Sequence, residues 1–91
     1  MIIVKRKGHR ERFDERKVYA SVYAACTSAF YNEKNCEKIA NKVTKKIEGF
    51  AEGKKEINSN QIRKKIENEL RKINKELAFF YEQHLPNLRR L

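Results

Sequence analysis

No stretch of this chain approaches the roughly 20 apolar residues of a membrane-spanning helix, and no charged start leads into the short apolar run of a secretion signal. The expectation is a cytoplasmic protein. Tryptophan is absent, and the two cysteines, Cys26 and Cys36, stand ten positions apart. Each falls in an apolar helical stripe, with neither the CxxC spacing nor the histidine partners that zinc requires. They read as buried, reduced thiols; a disulfide would need two helix ends to meet. His9 and His84 have no ligand-spaced partners and read as surface residues. A GxxxxGK[ST] loop is missing, as are Ser/His/Asp and Cys/His constellations and carboxylates paired in a catalytic setting. An enzyme is therefore not expected. Low-complexity tracts, long linkers and internal repeats are also lacking, so 91 residues of which 40% are hydrophobic suit one domain with one modest core, spanning residues 1–91.

What the chain has in excess is positive charge. Its 22 Lys and Arg against 12 Asp and Glu leave a formal charge of +10, which points to an anionic partner or to a self-repelling, soluble surface. The cations are densest in VKRKGHRERFDERK, residues 4–17.

The hydrophobic period changes along the chain. IIVKR and HRERF bracket Lys7-Gly8, which suits a tight hairpin with Gly8 at positive φ. A two-residue loop would set Val4 opposite Glu11, Ile2 opposite Phe13 and Lys5 opposite Arg10, the last pair unfavourable by charge. Asp14 then reads as the N-cap of a first helix, with Glu15 in its opening turn and Val18, Val22, Ala25 and Ala29 along its stripe beside Cys26. From about Glu33 to Glu52, Cys36, Ile39, Ala40, Val43, Ile47 and Phe50 share one face at spacings of three and four. Gly53 ends that helix, and Lys55-Glu56-Ile57 suits a third strand. Asn58 and Ser59 are both good caps for a third helix, striped by Ile62, Ile66, Leu70 and Ile73. Asn74 caps a last one carrying Leu77, Phe80, Tyr81 and Leu85, which Pro86 ends. The reading is an α-rich α+β domain: a four-helix bundle capped by a β-hairpin or small three-stranded sheet. Phe79, Phe80 and Tyr81 are adjacent and cannot all face one core, so one of them should be exposed or in an interface. Lys45-Lys46, Lys54-Lys55 and Lys64-Lys65 fall on polar helix sides and read as solvated.

Ile3-x-Lys5-Arg6-x-Gly8, then Glu11, Phe13-Asp14, Lys17 and Ser21 resembles the ATP-cone, the nucleotide-sensing module of ribonucleotide reductases and of the zinc-ribbon repressor of their genes. The likeness extends through Ala25-Cys26 and Ile57-x-Ser59-x-x-Ile62, and so covers nearly the whole chain. It implies binding of ATP or dATP under the sheet cap, with Mg2+, and binding without turnover. By the resemblance, Lys5 and Arg6 contact phosphate, Ile3 offers an apolar contact to the base, and Glu11 is a polar contact near the nucleotide. Asp14 is helix cap and base-side neighbour, Lys17 adds a cation one turn into the helix, and Ser59 is the hydroxyl residue before helix three. The physical warrant is separate: charge-assisted bonds to phosphate oxygens are strong, and a helix N-terminus adds a positive dipole end.

Two positions differ from the family's pattern. Lys7 precedes the turn glycine where Asp or Asn is usual, and Ala78 to Glu82 lacks the arginine that commonly follows an aromatic, with Arg89 and Arg90 as candidate substitutes. No reductase domain or zinc ribbon accompanies the motif within these 91 residues. The expected output is therefore self-association, or docking to a ribonucleotide reductase subunit or a transcription factor. The alternative is a small basic nucleic-acid-binding protein, supported by charge but weakened because basic residues spread over every helix instead of forming one recognition face.

Overall fold

In a computed structural model, the described residues are 2–4 and 9–88, with side chains described through Gln83. The chain runs β1 (Ile2–Val4), β2 (Arg10–Arg12), α1 (Glu15–Ser28), α2 (Glu33–Ala51), β3 (Glu56–Asn58), α3 (Ser59–Ile73) and α4 (Lys75–Leu88). This is the α-rich α+β architecture expected from the periodicities.

Each helix starts where a short polar side chain replaces a missing backbone acceptor. The Asp14 carboxylate accepts from Arg16 N at 3.0 Å, and Asn32 Oδ1 accepts from Asn35 N at 2.8 Å. Asn58 Oδ1 accepts from Asn60 N at 2.8 Å, and Asn74 Oδ1 from Glu76 N at 2.9 Å. Of the two candidate caps for α3, Asn58 takes the role. Gln61 Oε1 accepts in return from Asn58 N at 3.0 Å, completing a reciprocal box that leaves Ser59 as the first helical residue. Gly53, at φ 79, lets the chain turn out of α2.

The helices pack in a ring, α1 against α2 and α4, and α3 against α4 and α2. Val18, Val22, Ala25 and Cys26 meet Cys36, Ala40, Val43 and Ile47, with Ile62, Ile66, Leu70, Leu77, Ala78 and Tyr81 closing the core. Both cysteines are free and buried, as their stripes implied. Burial pushes the Cys26 thiol up to about 12, with the neighbouring Cys36 sulfur adding to the shift. Ile3, Phe13 and Ile57 seat the sheet on the helices.

The sheet order is β2-β1-β3, antiparallel between β1 and β2 and parallel between β1 and β3. The hairpin register differs from the two-residue-loop expectation by one position: Ile2 pairs Arg12, Ile3 pairs Glu11 and Val4 pairs Arg10. Five residues separate Val4 from Arg10, and an odd count cannot close on a two-residue turn. Slipping by one exchanges the faces of a strand, and this register brings Glu11 onto the face shared by Ile3 and buried Ile57. Gly8 lies outside the described residues, and Arg10, expected opposite Lys5, pairs instead with Val4. On the opposite face, Arg10 reaches across β1 to Glu56 at 2.6 Å.

Other details differ too. β3 begins at Glu56, not Lys55, because its register is set by pairing with β1. Ile73, expected in the apolar stripe, is 37% exposed at the last turn of α3. α4 continues to Leu88, two residues past Pro86, so the proline does not end the helix, although a proline there lacks the amide that would bond to the carbonyl four residues back and its ring crowds that carbonyl. Of the three adjacent aromatics, Tyr81 is buried, Phe80 is partly buried and Phe79 is 56% exposed, meeting Phe80 edge-on. The Leu85 and His84 side chains lie outside the described residues.

Candidate functional site

The sheet register positions the residues singled out in the sequence. Ile3 sits at the centre of β1, half-buried, with Glu11 beside it on β2 and Ile57 beside it on β3. Lys17, one turn into α1, reaches back to the sheet, its Nζ lying 3.4 Å from Glu11 Oε2. Ile3, Glu11 and Lys17 thus form one group: an apolar side chain flanked by an ion pair, with 70% of the Lys17 side chain exposed.

Asp14 lies two residues beyond Arg12, at the sheet end where β1 begins. Its carboxylate is clamped by Arg16, with Nε to Oδ1 at 3.1 Å and a second guanidinium nitrogen to Oδ2 at 3.2 Å. These hydrogen bonds hold the carboxyl below its usual range. Arg16 has no place in the sequence pattern, and only the helix-cap geometry reveals it as Asp14's partner.

Ser59 lies at the opposite sheet end, roughly 10 Å away along a three-residue strand. β1 and β3 are parallel and pair Val4 with Asn58, so both strands finish at the N-terminus of α3. Ser59 is half-buried there, and its hydroxyl makes no hydrogen bond among the described residues. The cap already satisfies the amides of Asn60 and Gln61. The helix end therefore offers an anion its dipole and one hydroxyl rather than a row of free amides. Lys5 and Arg6, the next residues after Val4, lie outside the described residues, as do Arg89 and Arg90.

Ser21, quoted in the motif, is a packing residue. It is buried, its hydroxyl donates to Val18 O at 2.8 Å, and it lies beside Tyr81 of α4. Burial raises the Tyr81 phenol, with Ser21 offsetting part of the shift. An open cleft of about 740 Å³ lies elsewhere, between the start of α1 and the end of α2, lined by Phe13, Glu15, Lys45, Glu48, Glu52 and Lys54 among others. Three carboxylates against two lysines make it a poor phosphate site, and none of the described predicted contacts, Ile3, Glu11, Asp14, Lys17 and Ser59, lines it. Among the described residues no cluster of His, Cys, Asp or Glu could hold a metal ion, and no helix is long and apolar enough to cross a membrane.

The described residues form a mixed three-stranded cap over a ring of four helices, with β1 and β3 both ending at the N-terminus of α3. The chain belongs to the ATP cone domain family, whose pattern it matches over residues 1–83. Domains of this family are regulatory and not catalytic. No curated protein matches the chain at a significant level.

Proposed function

We propose that this chain is a cytoplasmic regulatory module that binds ATP or dATP at its sheet cap and reports the bound state through self-association or a partner, a ribonucleotide reductase subunit or a transcription factor. The observation that carries the reading is the parallel pairing of β1 with β3. It ends β1 beside the N-terminus of α3, so Lys5 and Arg6 follow in the chain at the point where Ser59 and a positive helix end are available to phosphate. Ile3 offers an apolar surface to the base, and Lys17, paired with Glu11, supplies a cation that phosphate can draw away. A nucleotide is elongated, so contacts from the Asp14 end to the Ser59 end suit its base, sugar and phosphate tail. Mg2+ would arrive with the phosphates.

Calorimetric titration with ATP, dATP and GTP in magnesium buffer tests this. Micromolar to sub-millimolar binding of the adenine nucleotides is expected, with a rise in melting temperature corresponding to about 2.7 kcal/mol at a hundredfold excess over Kd. Lys5→Ala with Arg6→Ala should abolish binding and leave the fold intact, whereas Lys64→Ala with Lys65→Ala should change little. Equal losses from the two pairs would mean that general positive charge, not a site, binds the nucleotide.

A further inference from the structure

Along the sequence basic residues occur on every helix, but the fold separates them from the acids on α2. With about 100° of rotation per residue, Lys38, Lys42 and Lys46 stand one above another on the side of α2 away from the core, and all three are exposed. The acids of α2 take the other flank. Glu33 and Glu37 face Tyr23 of α1, whose phenol is raised first by desolvation and then by these and neighbouring charges, and Glu48 and Glu52 line the cleft shared with Phe13 and Glu15. The positions three and four away from Lys38, Lys42 and Lys46, where a helix would hold a partner carboxylate, carry no acid. Several carry further lysines, and each such like-charge pair costs helix stability. A face selected only for solvation would gain from glutamate at those places.

The adjoining face of α3 continues the pattern. Lys65 and Lys72 reach Glu69 Oε1 at 3.4 and 3.3 Å, and the charge of Lys46 on α2 also acts on it. Three cations therefore surround one carboxylate whose side chain is only 7% exposed. Glu67, the other acid within α3, turns the opposite way, to Glu82 of α4. The exposed aromatic rings, Phe30 and Phe79, belong to the α1–α2 turn and to α4, and Phe50, at the edge of the lysine row, is covered by Lys54 at 3.7 Å from its centroid.

We propose that the joined outer faces of α2 and α3 bind the phosphate backbone of a nucleic-acid duplex without reading its sequence, through Lys38, Lys42 and Lys46 in one row and Lys65 and Lys72 in the next. Successive lysines on α2 are four residues, about 6 Å, apart. That linear array suits a polymer of evenly spaced anions better than the scattered carboxylates of a folded protein. Packed helices stand about 8–10 Å apart, so two rows can meet both strands across a groove. Bases have no free ring to stack on here, which disfavours a single strand, and the apolar side of α2 is spent on the core, which leaves nothing to insert into a membrane. The face shares no residue with the proposed nucleotide contacts.

Fluorescence anisotropy of a labelled DNA duplex of about 20 base pairs, titrated with the protein in the absence of nucleotide at salt from about 50 to 200 mM, tests this. Micromolar binding at the lowest salt is expected, with a slope of log K against log salt of about −4 to −5 for five lysines. Lys38→Gln with Lys42→Gln and Lys46→Gln should weaken binding at least tenfold and reduce that slope by about 2.7. The melting temperature of this variant should hold or rise as repulsion along α2 is relieved, so lost binding cannot be lost structure. Arginine at the same three positions should preserve binding, and removing equal charge with Arg12→Gln, Arg71→Gln and Lys75→Gln should change little. An equal loss from that second set would overturn the proposal in favour of net charge alone. So would the absence of any anisotropy change at the lowest salt, or tighter binding of a single strand of the same length. Stronger binding of phosphatidylserine vesicles or of polyglutamate, lost in the α2 variant, would assign the face to a membrane or to an acidic polypeptide instead.

Discussion

At Thr44 the hydroxyl is buried with no hydrogen-bond partner among the described residues, and an unpaired buried hydroxyl costs roughly 1–3 kcal/mol. Thr44→Val keeps the shape and removes the polar atom. Urea denaturation should show a gain of about 1 kcal/mol; a loss would mean that the hydroxyl finds a partner in solution. Phe30, which ends α1 in left-handed backbone at φ 65, carries a different cost, from backbone conformation. Phe30→Gly relieves left-handed strain of about 1–2 kcal/mol but adds freedom to the unfolded chain, leaving a net gain of about 0.5–1 kcal/mol. Neither residue stands out in the sequence. Thr44 lies just beside the apolar stripe of α2, and the requirement for left-handed backbone at Phe30 comes from Tyr31, which the core and Asn74 draw inward. Asp14 shows the opposite case: a cap legible from its residue type, whose guanidinium clamp by Arg16 depends on the exact turn.

Among the elements, the helices were legible because their stripes repeat over many turns, and most of the stripe residues became the core, with Ala29, Ile39, Phe50 and Phe80 at its margin and Ile73 exposed. The strands are three residues each, too short for alternation to set their register. Pairing decided it, and the one-residue shift that brought Glu11 beside Ile3 followed. Asn58 joins the two kinds of element, since it ends β3, pairs with Val4 and caps α3. Asn58→Ala should cost about 1 kcal/mol of stability through the lost cap. If the proposed site is right, it should also weaken adenine nucleotide binding several-fold by loosening the N-terminus of α3, as thermal melting and calorimetry would show. Undiminished affinity at reduced stability would separate the cap from the site and place the phosphates elsewhere.

Over the whole molecule, charge opposes assembly. A chain of +10 repels its copies, and bound triphosphate removes several of those charges. Sedimentation with and without saturating ATP or dATP should therefore show a larger species with nucleotide. Truncation after His84 should remove the response if the end of α4 carries the contact. An unchanged mass up to millimolar protein would leave a separate partner as the only output.

The sequence by itself determined the number and order of helices, the thiol burial, the Asp14 and Asn74 caps and the motif of the family, because each depends on local spacing or residue type. Only the tertiary structure decided which face Glu11 takes, that Asn58 rather than Ser59 caps α3, that Arg16 clamps Asp14, and that Phe30 stands strained at the end of α1. These depend on pairings between segments distant in the chain, such as β1 with β3 and Tyr31 with Asn74. A local pattern cannot specify such pairings, because they are chosen by how whole elements bury their faces against one another.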